Sequence, residues 1–205
     1  MQTSNKVTSS KICDSKRAKF LYCSHFCEEN VYKMANSILD DMRSHQDISP
    51  SASFFVVFIS SECKRTPVWY QKAGMQGEPV LWDYHVVLVA KGMSQSLLHK
   101  ICSAEVSDTY CDQAKPFSDS LPSQFKSEVE NSPQPMMHIV FDLDTELTFP
   151  SDAEEYYTQS FRPDLALHSS YEQRFRVILA EDFINHFSSD RSDNYQRSYP
   201  FHFVK

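Results

Sequence analysis

The run Trp82-Asp83-Tyr84-His85-Val86-Val87-Leu88-Val89 constrains this chain more than any other stretch. Its aromatic and β-branched residues suit a pleated, half-buried surface, so residues 80–90 read as a strand. On a strand successive side chains point to opposite faces. Asp83, His85, Val87 and Val89 therefore share one face, and Trp82, Tyr84, Val86 and Leu88 the other. A lone histidine in such a segment has a ring aimed by rigid backbone.

Other segments have the same character. Phe54-Phe55-Val56-Val57-Phe58-Ile59 reads as a buried strand, Pro67-Val68-Trp69-Tyr70 as a short one, and residues 138–144 and 171–178 as two more. A turn region with Gly74, Gly77 and Pro79 separates the second from the third. Between Cys27 and Met42, the positions Val31, Met34, Ala35, Ile38, Leu39 and Met42 recur at helical spacing. Ser24 is the candidate N-cap, and Glu28 and Glu29 suit the positive end of the helix dipole. Residues 180–187 form a second, short helical pattern. Helices with strands separated by turns indicate a mixed α and β domain.

The 205 residues suffice for one domain with a sizeable core and are short for two. Only 3 glycines are present, which argues against glycine-rich phosphate loops. A net charge of −7 offers no electrostatic footprint for nucleic acid. The longest purely apolar run, residues 54–59, is too short to span a bilayer. Residues 1–20 are polar and rich in Ser, Thr and Lys; they read as a disordered arm without the apolar core of an export signal. The six cysteines are then expected to be thiols of a reducing compartment, in a soluble cytoplasmic protein to which the nucleus is also open. Residues 91–135 are Ser-rich, with Pro116, Pro122, Pro133 and Pro135, and read as a mobile insertion with a helical turn around residues 97–101. The rest, 21–205, reads as a single domain.

If the strand of residues 80–90 pairs antiparallel with that of residues 138–144, His85 and Asp142 meet on one face of the sheet. The insertion is little obstacle, because each doubling of loop length costs only about 0.6 kcal/mol. A carboxylate there fixes the imidazole tautomer and supports its charged form. Cys27 at the head of a helix completes a thiol, imidazole and carboxylate set, the layout of a cysteine acyl-transfer site. A helix dipole and a neighbouring imidazolium can bring a thiol from about 8.5 into the range of roughly 3.5–7.5. The backbone N–H of Cys27 is a candidate oxyanion donor, a contribution on the order of 100- to 1000-fold in rate.

Each residue taken alone has a plainer reading. Cys27 is by default a buried structural thiol, His85 a satisfied strand histidine, and Asp142 a carboxylate capping a turn. Cys23 and Cys27 bracket His25, which suggests a zinc site, but no second Cys or His pair with ligand spacing follows. Phe141-Asp142-Leu143-Asp144-Thr145 resembles the aspartate motif of haloacid-dehalogenase-like phosphatases. That family usually has Gly after the second Asp, whereas Thr145 follows here, and little chain remains for its downstream motifs.

Together the segments carry a stronger resemblance. Cys27-Glu28-Glu29-Asn30, Val56-Val57-Phe58-Ile59-Ser60, Trp82-Asp83-Tyr84-His85-Val86-Val87-Leu88, Phe141-Asp142-Leu143-Asp144-Thr145, Phe175-Arg176-Val177-Ile178 and Phe187-Ser188-Ser189-Asp190-Arg191-Ser192 occur in one order. Over residues 20–90 and 136–200 the chain resembles the protein N-terminal glutamine amidohydrolase family. The resemblance implies an α/β (α+β) fold with a transglutaminase- or papain-like core, its cysteine-bearing helix packed on a mostly antiparallel sheet. It implies deamidation of N-terminal Gln to Glu with release of ammonia, which feeds the N-degron pathway. Cys27 is then the nucleophile, His85 the general acid and base, and Asp142 the orienting carboxylate, with no metal or organic cofactor. The expected partners are proteins and peptides with N-terminal Gln, met by a monomer with neither nucleic acid nor membrane. Asp83 and Glu28 are the candidates for binding the substrate's α-ammonium. Relatives also continue, past the point matching Tyr199-Pro200, into a segment containing Gly-Trp-Gly. A second reading is therefore a non-catalytic form that binds N-terminal Gln peptides.

Overall fold

A computed structural model describes residues 16–44, 52–103 and 136–188. Its longest helix, α1 (Cys27–Ser44), is followed by strands β1 (Ser53–Ser60), β2 (Thr66–Val68), β3 (Val80–Trp82) and β4 (Tyr84–Met93) and by helix α2 (Gln95–Cys102). After residues 104–135 come β5 (Met137–Phe141), β6 (Ser151–Asp152), a short helix α3 (Ala153–Tyr156) running into a π-helical turn, β7 (Arg174–Leu179) and α4 (Ala180–His186). The main sheet has the order β6-β5-β4-β1-β7, and its neighbouring strands are all antiparallel. The class is α+β. No helix among the described residues is long and apolar enough to cross a membrane.

The two faces of the sheet are covered differently. On one, α1 presents Val31, Met34, Ala35, Ile38 and Leu39 to Val56, Val86, Leu88, Ala90, Ile139 and Phe141. These apolar side chains leave water together, at about 25 cal/mol per Å² of apolar surface removed. On the other face Ile59, Val87, Val140 and Tyr156 form a smaller cluster. The register sets Val89 against Val140 and Val57 against Val87, so this is the face of the odd-numbered residues of β4.

Several expectations are revised. Residues 80–90 do not form one strand. A bend at Asp83 divides them, so that β3 pairs with β2 in a separate two-stranded sheet while β4 enters the main one. Asp83 therefore does not continue the His85 face as simple alternation predicts. Ser24 does not cap α1: the Phe26 carbonyl accepts the first helical bond, from Asn30 N–H at 2.9 Å. Asn30 instead clasps the turn ahead of the helix, its side chain accepting from Cys23 N–H and donating to the Cys23 carbonyl.

Within the region read as an insertion, β4 continues to Met93 and α2 is a full helix, N-capped by Ser94, with Leu97 and Ile101 buried. A bulge between Lys91 and Met93 contains Gly92 at φ 75, a conformation that costs glycine little. Residues 104–135 lie outside the described residues, as do residues 1–15 of the expected arm and the stretch from Ser189 onward. Residues 16–20 of that arm are docked. Arg17 donates to the carbonyls of Thr145 and Leu147, and Phe20 is buried in the core.

Candidate active site

Cys27 is the first residue of α1, so its backbone N–H has no acceptor within the helix. His85 is the second residue of β4, and Asp142 follows the last residue of β5. The ladder between β4 and β5 runs from Met93 to Leu88, opposite Phe141. Residues 84–87 of β4 thus continue past the end of β5, and Asp142 turns toward them. His85 Nε2 lies 3.1 Å from Asp142 Oδ1. The Cys27 thiol faces the same imidazole, each group shifting the other's ionisation. The three residues named from the sequence are brought together, and all three are buried.

Asp142 is held from every side. Gln71 Nε2 donates to Oδ2 at 3.0 Å, the Tyr156 hydroxyl to the same oxygen at 2.7 Å, and Asp144 N–H to Oδ1 at 2.9 Å. Burial pushes the carboxyl up, but the charge of His85 and these hydrogen bonds outweigh it and hold Asp142 at about 2. Burial likewise opposes charging of His85, and the Asp142 carboxylate overrides it, raising the imidazole well above its ordinary value. Burial pushes the Cys27 thiol up. The facing His85 imidazole pulls it back, and the neighbouring Glu28 carboxylate pushes it up again.

Around this set lies a frame that sequence reasoning missed. Trp82 stacks on the His85 ring at 5.2 Å with planes 17° apart. Residues 70–72 are laced to the loop after β5: Glu146 N–H donates to the Tyr70 carbonyl, Lys72 N–H to the Asp144 carbonyl, and Lys72 Nζ to the Leu143 carbonyl. This lacing fixes Gln71 beside Asp142. The Tyr22 hydroxyl donates to Asp144, and burial together with that carboxylate pushes the phenol up to about 12. Tyr156 and Gln71 carry no local sequence signal, since each reaches Asp142 only through the fold.

Donor atoms of His85, Asp142 and Asp144 all lie within 4.8 Å of one another, a grouping that could hold a cation. Both oxygens of Asp142 and Oδ1 of Asp144 are, however, already engaged with Gln71, Tyr156, Tyr22 and backbone N–H. The same engagement leaves Asp142 turned away from solvent, where an attacking phosphatase aspartate needs access. Cys23 and His25 are exposed, whereas Cys27 is buried against His85, so the bracketed trio does not converge.

The model of the family described as N-terminal glutamine amidase matches residues 22–202 of the chain. Among similar curated proteins are three named protein N-terminal glutamine amidohydrolase. The one from Arabidopsis thaliana is 33% identical over 174 residues, which are 84% of this chain and 60% of that protein. The one from Drosophila willistoni is 32% identical over 177 residues, 86% of this chain and 64% of the relative. The one from Homo sapiens is 31% identical over 172 residues, 84% and 62% of the two chains. The chain thus spans less than two thirds of the length of these curated relatives.

Proposed function

The chain belongs to the N-terminal glutamine amidase family, and from that premise we propose that it hydrolyses the side-chain amide of N-terminal glutamine in proteins and peptides, leaving glutamate and ammonia. The observation that carries this reading is the buried line of Cys27, His85 and Asp142, supplied by a helix start, a strand and a strand end. With Nε2 engaged by Asp142, the other ring nitrogen, Nδ1, takes the Cys27 proton. The thiolate attacks the amide carbon, and the Cys27 backbone N–H at the positive end of α1 supports the oxyanion. His85 then protonates the departing ammonia, which leaves a thioester on Sγ. Water, deprotonated by His85, attacks the thioester, and collapse returns the thiol and releases the new carboxylic acid.

Asp142 keeps the imidazole in one tautomer and orientation and stabilises its charged form, while remaining ionised itself. Gln71 and Tyr156 hold the carboxylate in place, and Trp82 restrains the ring by stacking. The test is ammonia release from a peptide beginning with Gln, compared with one beginning with Asn and one carrying only internal Gln. Turnover confined to the first peptide is expected. A folded sample that releases no ammonia from it overturns the proposal and favours the binding-only reading.

A further inference from the structure

We propose that Glu28 reads the free α-ammonium of the substrate and that, until this cation arrives, it keeps the Cys27 thiol protonated. The proposal deepens the amidase reading and rests on it. Glu28 Oε2 lies 3.5 Å from Cys27 Sγ, with the thiol as donor. That contact directs the proton away from His85. It also sets an anion beside a group that must itself become an anion, the reverse of what thiol activation ordinarily requires.

An ammonium ion at Glu28 removes both obstacles: it offers the carboxylate stronger, charge-assisted hydrogen bonds and cancels the repulsion. Glu28 is only half-buried, so one side remains open to an incoming cation, while Cys27 is buried. Beyond burial, the charge of Cys27 is governed by Glu28 on α1 and His85 on β4, and Asp142 after β5 in turn raises the proton affinity of His85. Asp83, the other carboxylate considered for this role, is exposed at the bend between β3 and β4.

The dimensions suit the substrate. Four bonds separate the α-nitrogen of Gln from its side-chain amide carbon, roughly 4–5 Å when extended. An ammonium seated on Glu28 can therefore deliver the amide carbon to Sγ. Asparagine is one bond shorter, and internal or acetylated glutamine brings no cation. Selection for a free N-terminus and ionisation of the nucleophile become one event.

The experiment follows alkylation of Cys27 by iodoacetamide as a function of pH, read at that residue by mass spectrometry because Cys23 and Cys63 are also free and exposed. Without ligand, Glu28→Gln should lower the alkylation midpoint by roughly one pH unit. Gly-Ala-Ala amide, which brings an α-ammonium but no side chain, should lower the midpoint of the unmodified chain, and its N-acetyl counterpart should not. Neither peptide should act on Glu28→Gln. Glu28→Asp, which keeps the charge, should retain the response and serves if the Gln variant does not fold. Equal midpoints with and without the Glu28 carboxylate, or equal effects of the free and acetylated peptides, overturn the proposal. Ammonia release from Gln peptides with an unresponsive midpoint sinks the role of Glu28 alone. A responsive midpoint without ammonia release sinks the amidase reading and leaves the coupling of Glu28 to Cys27 standing.

Discussion

His85 Nε2 stands 3.1 Å from Asp142 Oδ1 with both side chains sealed from solvent, a position neither charge tolerates alone. Breaking a buried pair by removing one partner is costly, because it strands the other. Asp142→Asn should leave the imidazole without its counter-charge, lowering its affinity for a proton and reducing kcat by two or more orders of magnitude. Ammonia release across pH, with the fold monitored by circular dichroism, checks this.

The same pair predicts a pH dependence of stability. Asp142 is held at about 2, below its ordinary 3.8, so its contribution is present above the unfolded value and lost as pH falls through the folded one. That contribution amounts to about 2 kcal/mol. His85 is raised, so its contribution is full below about 6.5 and declines as pH rises through the folded value. Urea midpoints should therefore peak on a plateau between about pH 4 and 6.5 and fall on both sides. In Asp142→Asn the decline between pH 4 and 2 should shrink; an unchanged acid limb would contradict the assignment.

Tyr156 donates to Asp142 at 2.7 Å from α3, the far side of the sheet from α1. Tyr156→Phe keeps the ring and removes one hydrogen bond to a charged, buried acceptor, at a cost of about 1.5–3 kcal/mol. Gln71 and the Asp144 N–H still hold the carboxylate, so activity should fall less than in Asp142→Asn. Chemical denaturation and steady-state kinetics on one preparation separate the two effects. A loss of activity as deep as that of Asp142→Asn would show that Tyr156 does more than hold the carboxylate.

What could be read along the chain was local. Cys27 stands at the head of a segment whose apolar positions keep helical spacing through Met42, and His85 stands in a β-prone run. Alternation then sufficed to expect His85 and Asp142 on a common face, given antiparallel pairing. The break at Asp83 was not legible, because β-prone residues flank it on both sides and the pairing of β3 with β2 is a tertiary choice. Gln71 and Tyr156 were invisible for a different reason. They lie 71 and 14 residues from Asp142, in segments without strand or helix periodicity, and only the folded arrangement turns them toward it.

Cys27→Ala should abolish ammonia release while leaving the fold intact. The thiol is small, and its principal partners, His85 and Glu28, each keep surroundings of their own. The expected change in stability is about 1 kcal/mol or less, the scale of losing one buried, weakly hydrogen-bonding group. Residual turnover above background would remove Cys27 from the role of nucleophile. A large loss of stability would instead make it a core residue.

Gly74 tests how far positioning extends beyond the reacting groups. Its N–H donates to the Gln71 carbonyl at 2.9 Å, closing the turn that sends the Gln71 side chain toward Asp142. A Cβ at this position would lie 2.9 Å from Val80 Cγ2 and 3.2 Å from the Gln71 carbonyl oxygen. Both contacts are too close, and the second neighbour is backbone that cannot swing away. Gly74→Ala should therefore cost about 1–3 kcal/mol through overpacking. For a chain of this size that corresponds to a fall in Tm of about 2–4 °C per kcal/mol. Because the strain falls on the turn bearing Gln71, kcat should drop with little change in KM. A calorimetric scan with the melting point unmoved would show that the turn relaxes at no cost. A normal kcat in a destabilised variant would show that Gln71 holds its place without the turn.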